Sequence, residues 1–272
     1  MQDHLVADPS YVVRFEREIS ALRAIRHPNV VDVFEWNLPT PGANESPFVV
    51  MELLDGEGLD RLLKRKPVLP AGMSVEIVLQ VLDGLAAAHA VGVIHRDLGP
   101  SNVFLEPQAG GKFRAKILDF GLARPIGEEG AVNVTQEGTL MGKPAYVAPE
   151  CFGGGSLDAR SDLFACGIIL YRMLTGRFPY REAASQMLWV ERYAERDQNK
   201  EYPSAKSHNP SIPDSLDAVV SKSIRRLPDE RYSSAREMQQ ALLAVEEDIL
   251  DGQHTETDAL RPPAAGASMR RE

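Results

Sequence analysis

Three short strings gather the side chains best suited to chemistry: His95-Arg96-Asp97-Leu98-Gly99-Pro100-Ser101-Asn102, Asp119-Phe120-Gly121 and Ala148-Pro149-Glu150. The carboxylates of Asp97 and Asp119 and the amide of Asn102 are the types that serve as a general base and as oxygen donors to a hard divalent cation. A lone Asp in a loop is first a cap or a turn former. Three such groups in fixed order, with helical patterning before and after them, outweigh that reading. The composition narrows the chemistry further. With 272 residues, 43% apolar and 25% charged, the chain has room for one large domain or two small lobes. Lys plus Arg total 30 against 39 Asp plus Glu, a net charge of -9, which argues against general binding to nucleic acid or anionic membranes. Phosphate could still be held locally. Cys151 and Cys166 are too few for a disulfide framework and lack zinc-ligand spacing, so a reduced, cytoplasmic setting is the expectation. The opening MQDHLVADPS has no basic or apolar leader pattern, and the longest apolar runs fall short of the roughly 20 residues that span a bilayer.

These groups need elements to carry them. Asp8-Pro9-Ser10 reads as a helix start, and Phe15, Ile19, Leu22 and Arg26, with Ile25, share one face up to His27-Pro28. Val30-Val31-Asp32-Val33-Phe34 and Phe48-Val49-Val50-Met51-Glu52 read as antiparallel strands around a Pro/Gly/Asn/Ser-rich loop, Pro39 to Pro47. From Leu59 the pattern turns helical, most clearly at Val75, Val78, Leu79, Leu82, Leu85 and Ala86. Short apolar runs at Val93-Ile94, Val103-Phe104-Leu105 and Lys116-Ile117-Leu118 predict small β hairpins carrying polar loops. Residues 125 to 145 form a long Gly/Glu/Thr-rich segment, a candidate for regulation. Helical patterns return at Asp162 to Leu174, Glu182 to Tyr193, Leu216 to Ile224 and Ala235 to Leu250. The residues after Asp251 read as a disordered tail.

Taken in order, the three strings resemble the catalytic domain of eukaryotic-like (Hanks-type) serine/threonine protein kinases, of the kind found in bacteria, from about Leu5 to Val245. The resemblance implies an α+β, two-lobed protein-kinase-like fold with a truncated N-lobe and a mainly helical C-lobe. Residues 1–54 would be a partial N-lobe (C helix and following strands), 55–250 the C-lobe and 251–272 the tail. It implies ATP and Mg²⁺ as cofactors and a protein substrate with a Ser or Thr acceptor. Asp97 would orient the acceptor hydroxyl and take its proton, and Asn102 and Asp119 would hold Mg²⁺ against the phosphates. Met51 would guard the back of the adenine pocket, Glu52 and Leu54 belong to the hinge that bonds adenine through its backbone, and Phe104 would form the floor. Glu18 matches the C-helix glutamate. Leu22, Val33, His95 and Phe120 match a stacked apolar spine, with Gly121 completing the second string. Glu150 and Arg231 match a buried ion pair, and Asp162 the aspartate that holds the catalytic loop backbone. Arg96 marks members whose long loop is ordered by phosphorylation, with Thr135 and Thr139 as candidate acceptors and Glu137 as a fixed charge between them.

The chain also departs from the pattern. No lysine precedes Lys64, so Glu18 lacks its strand partner, and no G-x-G-x-x-G loop lies ahead of the helix. Gly99 stands where the family carries a lysine that contacts the transferred phosphate, and Lys143, in Gly142-Lys143-Pro144-Ala145-Tyr146, stands where it carries threonine. One reading of this pair is compensation, with the Lys143 ammonium reaching Asp97; the other is decay of the site with Lys143 in solvent. Two functions follow as expectations: an N-terminally truncated Ser/Thr kinase domain with impaired turnover, or a pseudokinase acting as a regulatory or binding module.

Overall fold

The computed structural model describes residues 16, 19–37, 48–120, 144–152, 158–180 and 202–250. In chain order these form β1 (Val33–Asn37), β2 (Phe48–Met51), β3 (Glu57–Gly58), α1 (Leu59–Arg65), α2 (Ala71–Ala90), β4 (Val103–Pro107), β5 (Phe113–Ile117), α3 (Ala159–Thr175), α4 (Ala205–His208), α5 (Asp214–Ser223) and α6 (Ala235–Leu250). The architecture is α+β, with a two-stranded sheet β1-β2 and a three-stranded sheet β3-β4-β5. The helix start at Asp8-Pro9-Ser10, Glu18, the pattern at Glu182 to Tyr193 and the tail lie outside the described residues. Residues 19–24 are helical, and they bury Ile19 and Leu22.

The period-3.6 pattern in α2 has the effect that geometry demands: Val75, Val78, Val81, Leu82 and Leu85 all face the interior. By length and composition this 20-residue helix is apolar enough to cross a membrane, yet it is a core helix here. Helix α3 is buried along almost its whole length, the Asp162 carboxylate in its first turn included. It begins at Asp158, whose side chain accepts from Arg160 N–H at 2.7 Å.

Two strand expectations are corrected. The first strand runs over Val33–Asn37, not 30–34. Residues 29–31 engage the other sheet instead, because Ile117 N–H donates to Asn29 O at 2.9 Å and Val31 N–H donates to Ile117 O at 3.0 Å. Val93-Ile94 forms no strand: Val93 N–H donates to Ala88 O at 3.0 Å and so closes the end of α2. The other apolar runs do form a hairpin, β4-β5, in register from Val103↔Ile117 to Pro107↔Phe113.

The 29–31 segment is seated by a close backbone approach. A Cβ at Gly84 of α2 would lie 2.8 Å from Asn29 O and 2.9 Å from Ile117 Cδ1. Asn29 Nδ2 donates to Ala115 O at 2.8 Å and to Gln80 Oε1 at 3.1 Å. The turn after the first helix is thereby fastened to both α2 and β5, the strand that leads to Asp119.

Candidate active site

The segment between α2 and β4 carries His95, Arg96, Asp97 and Asn102. Arg96 has φ +63°, and Asp97 N–H donates back to His95 O at 2.8 Å. This is the tight, rarely populated γ-turn geometry, and it turns Asp97 out of the line of the chain. Asn102 sits at the end of a 3₁₀ turn, Pro100–Asn102, closed by its N–H on Gly99 O at 2.8 Å. Its Nδ2 donates to Asp97 O at 2.9 Å, which turns Oδ1 the other way. Asn102 O accepts from Leu118 N–H at 2.9 Å. The loop is thus tied backbone to backbone to the residue just before Asp119.

Asp119 is exposed and has φ +43°, a left-handed conformation that costs energy for a side-chain-bearing residue. Phe120 is buried, and its ring lies 4.8 Å from that of His95. His95 Nε2 is 2.9 Å from Leu118 O. A carbonyl can only accept, so Nε2 is the donor, consistent with Nδ1 accepting from Asp97 N–H at 3.2 Å. Leu22, Val33, His95 and Phe120 are all buried.

Asp162, in the first turn of α3, holds the loop from below. Its Oδ2 accepts from His95 N–H at 2.9 Å, and its Oδ1 accepts from Arg96 N–H at 3.0 Å. His89 Nε2 lies 2.8 Å from Oδ2. Burial pushes this carboxyl up, but the His89 bond and charge and the His95 amide outweigh it, so Asp162 ends below the ordinary carboxylate range. A further clamp pairs Glu150 with Arg231, whose side chain is fully buried. Arg231 Nη1 and Nη2 each reach a Glu150 oxygen at 2.7 Å. The remaining donors meet Arg225 O, Arg160 O and Arg226 O at 2.7, 3.2 and 2.8 Å. All five guanidinium N–H groups are used, which is what makes a buried arginine tolerable.

A cleft beside Asp97 is lined by Arg96, Tyr146, Val147, Cys151 and Asp162. The Cys151 thiol there is pushed up to about 12, by burial first and then by the Glu150 charge, so it is no nucleophile. Cys166 is raised by burial as well.

On the other side, Met51 ends β2 opposite Val33 and is exposed. Glu52 N–H donates to Asp32 O at 3.0 Å. Leu54 is half-buried and Leu53 fully out in solvent. Phe104 is half-buried on β4, paired with Gly58 and Lys116. The hinge returns to β4 through Gly56, at φ +149°, where a Cβ would lie only 2.2 Å from Leu105 O. Gly121, Thr135, Glu137, Thr139 and Lys143 lie outside the described residues. Sequence reasoning overlooked Gly56, Gly84, His89, Asn29 and Lys116. The Asp55-Gly56 dipeptide was a turn signal; nothing local marks the others.

The donor set suits a hard cation. Asn102 Oδ1 and the exposed Asp119 carboxylate are oxygen ligands, and among the described residues no cluster of three or more His, Cys, Asp or Glu side chains forms a metal cage. Two protein oxygens completed by phosphate and water is the usual manner of holding Mg²⁺.

Asp97 and Asn102, on the loop that Asp162 holds at His95 and Arg96, with Asp119 after β5, suit a protein kinase domain, and the chain belongs to that family, which it matches over residues 6–243. The relatives it matches are serine/threonine-protein kinases. It is 35% identical over 241 residues to the serine/threonine-protein kinase Pkn1 of Myxococcus xanthus, covering 88% of this chain and 33% of that protein. To the serine/threonine-protein kinase PknB of Mycobacterium leprae it is 33% identical over 241 residues, covering 89% and 37%. The kinase domain of Mycobacterium tuberculosis PknI superposes with a TM-score of 0.65 at 25% identity, covering 90% of this chain and 83% of that one. The chain spans well under half the length of these curated relatives.

Proposed function

We propose that this chain transfers the γ-phosphate of ATP to a Ser or Thr hydroxyl of a protein substrate, acting in the cytoplasm. The observation that carries the reading is the pair of bonds at Asn102: its Nδ2 donates to Asp97 O at 2.9 Å within the loop, and its carbonyl accepts from Leu118 N–H at 2.9 Å, next to Asp119. These bonds support a reading in which a base and two cation ligands lie on two neighbouring segments. In this reading Asp97 orients the acceptor hydroxyl and takes its proton, while Asn102 and Asp119 present oxygens to Mg²⁺. Bound Mg²⁺ would neutralise charge on the phosphates. Glu52 O and Leu54 N–H would meet the adenine edge over Phe104; outside the strand ladders, neither group has a backbone partner among the described residues.

Phosphoryl transfer rests on positioning and charge stabilisation. Gly99 brings no positive charge to the transferred phosphate, so slow turnover is expected. If Lys143 compensates for Gly99, Lys143→Met lowers residual transfer further; unchanged transfer speaks for decay of the site. Gly99 also favours a second reading, a pseudokinase that binds nucleotide without transfer. The purified chain with Mg·ATP and a Ser/Thr peptide mixture separates the two. Slow phosphopeptide formation abolished by Asp97→Asn supports the kinase; Mg·ADP binding with no transfer supports the pseudokinase. No binding of nucleotide at all removes the kinase reading and leaves the pseudokinase as a regulatory or binding module.

A further inference from the structure

Lys116 occupies a place on β5 where an apolar side chain would be expected. Its strand neighbours Ala115 and Ile117 are fully buried in the core, and Lys116 itself is 6% exposed. By the two-residue period of a strand it faces the side opposite Ala115 and Ile117, and it shares that side with its cross-strand partner Phe104. An ammonium so placed is costly unless paired. Its partner is 64 residues away: Lys116 Nζ lies 2.5 Å from Glu52 Oε1.

Glu52 is tied twice more. The same oxygen accepts from Asp32 N–H at 2.8 Å, and Glu52 N–H donates to Asp32 O at 3.0 Å. The Asp32 carboxylate is drawn off to Arg26 Nη1 at 2.7 Å, so it does not compete for the lysine. Beyond Glu52 the hinge has little packing: Leu53 is 98% exposed, and Asp55 and Gly56 are exposed too. The course of residues 53–55 is therefore set at its two ends. One end is the close approach of Gly56 to Leu105; the other is Glu52.

We propose that Lys116 is a positioning residue for nucleotide binding, holding the hinge through the Glu52 carboxylate at a fixed height above the β4-β5 hairpin, in which β4 carries Phe104 and β5 leads to Asp119. The inference rests on the nucleotide site proposed above. It assigns Lys116 no contact with nucleotide. Its effect passes through the Glu52-Asp32 pair to the backbone groups at Glu52 and Leu54.

The test compares the unmodified chain, Lys116→Met and the double variant Lys116→Met/Glu52→Gln by amide hydrogen exchange, thermal unfolding and calorimetric titration with Mg·ADP. In Lys116→Met the Glu52 amide exchanges about tenfold faster or more, while interior amides of α2 and α3 keep their protection relative to one another. Its Kd for Mg·ADP rises about tenfold. The double variant removes the unpaired buried charge and keeps an oxygen for Asp32 N–H, so it regains thermal stability yet keeps the weakened Kd. That split separates positioning from a merely structural pair, for which affinity would return with stability. Affinity returning with stability, or an unchanged Glu52 amide in Lys116→Met, overturns the proposal. Should Lys116→Met fail to fold, the double variant still carries the comparison of Glu52 exchange and Kd. If the unmodified chain takes up no Mg·ADP, the nucleotide site itself is refuted, and the Glu52 exchange rate alone judges the lock.

Discussion

Replacing Asp162 by asparagine tests whether the catalytic loop is held from below, as its geometry requires. The carboxylate accepts three bonds, from His95 N–H, Arg96 N–H and His89, at 2.9, 3.0 and 2.8 Å. An amide of the same size offers one oxygen. With that oxygen toward Arg96, the new NH₂ opposes the His95 N–H; flipped, it opposes the Arg96 N–H. Either way one backbone donor loses its acceptor at a residue only 1% exposed. An unsatisfied buried donor costs about 1–3 kcal/mol, and bonds to a charged acceptor contribute about 1.5–3 kcal/mol each. Removing the buried charge returns part of its desolvation, so a loss of about 2 kcal/mol is expected for Asp162→Asn. Against the roughly 5–15 kcal/mol of a typical domain the variant stays folded. Urea unfolding measures the loss, and hydrogen exchange at the His95 and Arg96 amides locates it. The sign with pH is fixed too. The carboxyl is held below its ordinary value of 3.8 in the fold, so its contribution is complete above that value and is lost as pH falls through the lower folded value. The gap between the two proteins therefore narrows in acid. A loss under about 0.5 kcal/mol, with unchanged exchange at both amides, would refute the reasoning.

Two further substitutions probe how the site is supported. Gly84→Ala gains about 1 kcal/mol in helix propensity but pushes a methyl to 2.8 Å from Asn29 O, so a net destabilisation of about 1–3 kcal/mol is expected from overpacking; a raised Tm would contradict the seating of residues 29–31. Arg231→Met strands the Glu150 carboxylate and three carbonyls, which predicts a loss of about 3–5 kcal/mol. Adding Glu150→Gln recovers part of it in urea unfolding, and full retention of stability by the single variant would show the pair to be dispensable.

Much of the frame can be read without the fold. The helical periods of α2 and α3, the β4-β5 hairpin and the spacing of Asp97, Asn102 and Asp119 are local patterns, because side chains three or four apart on a helix, or two apart on a strand, face the same way whatever surrounds them. The departures at Gly99 and Lys143 are equally visible in the chain. Other features are tertiary. The first strand begins at Val33 because residues 29–31 bond to Ile117 across the sheet, and no local propensity distinguishes Val30 from Val33. His89 and Lys116 look like surface charges in one dimension. They became supports of the candidate site only when packing brought Asp162 and Glu52 to them from 73 and 64 residues away. A buried charge must find an opposite charge or a hydrogen-bonding group, but which one it finds depends on how distant elements pack, and that is decided by the core as a whole.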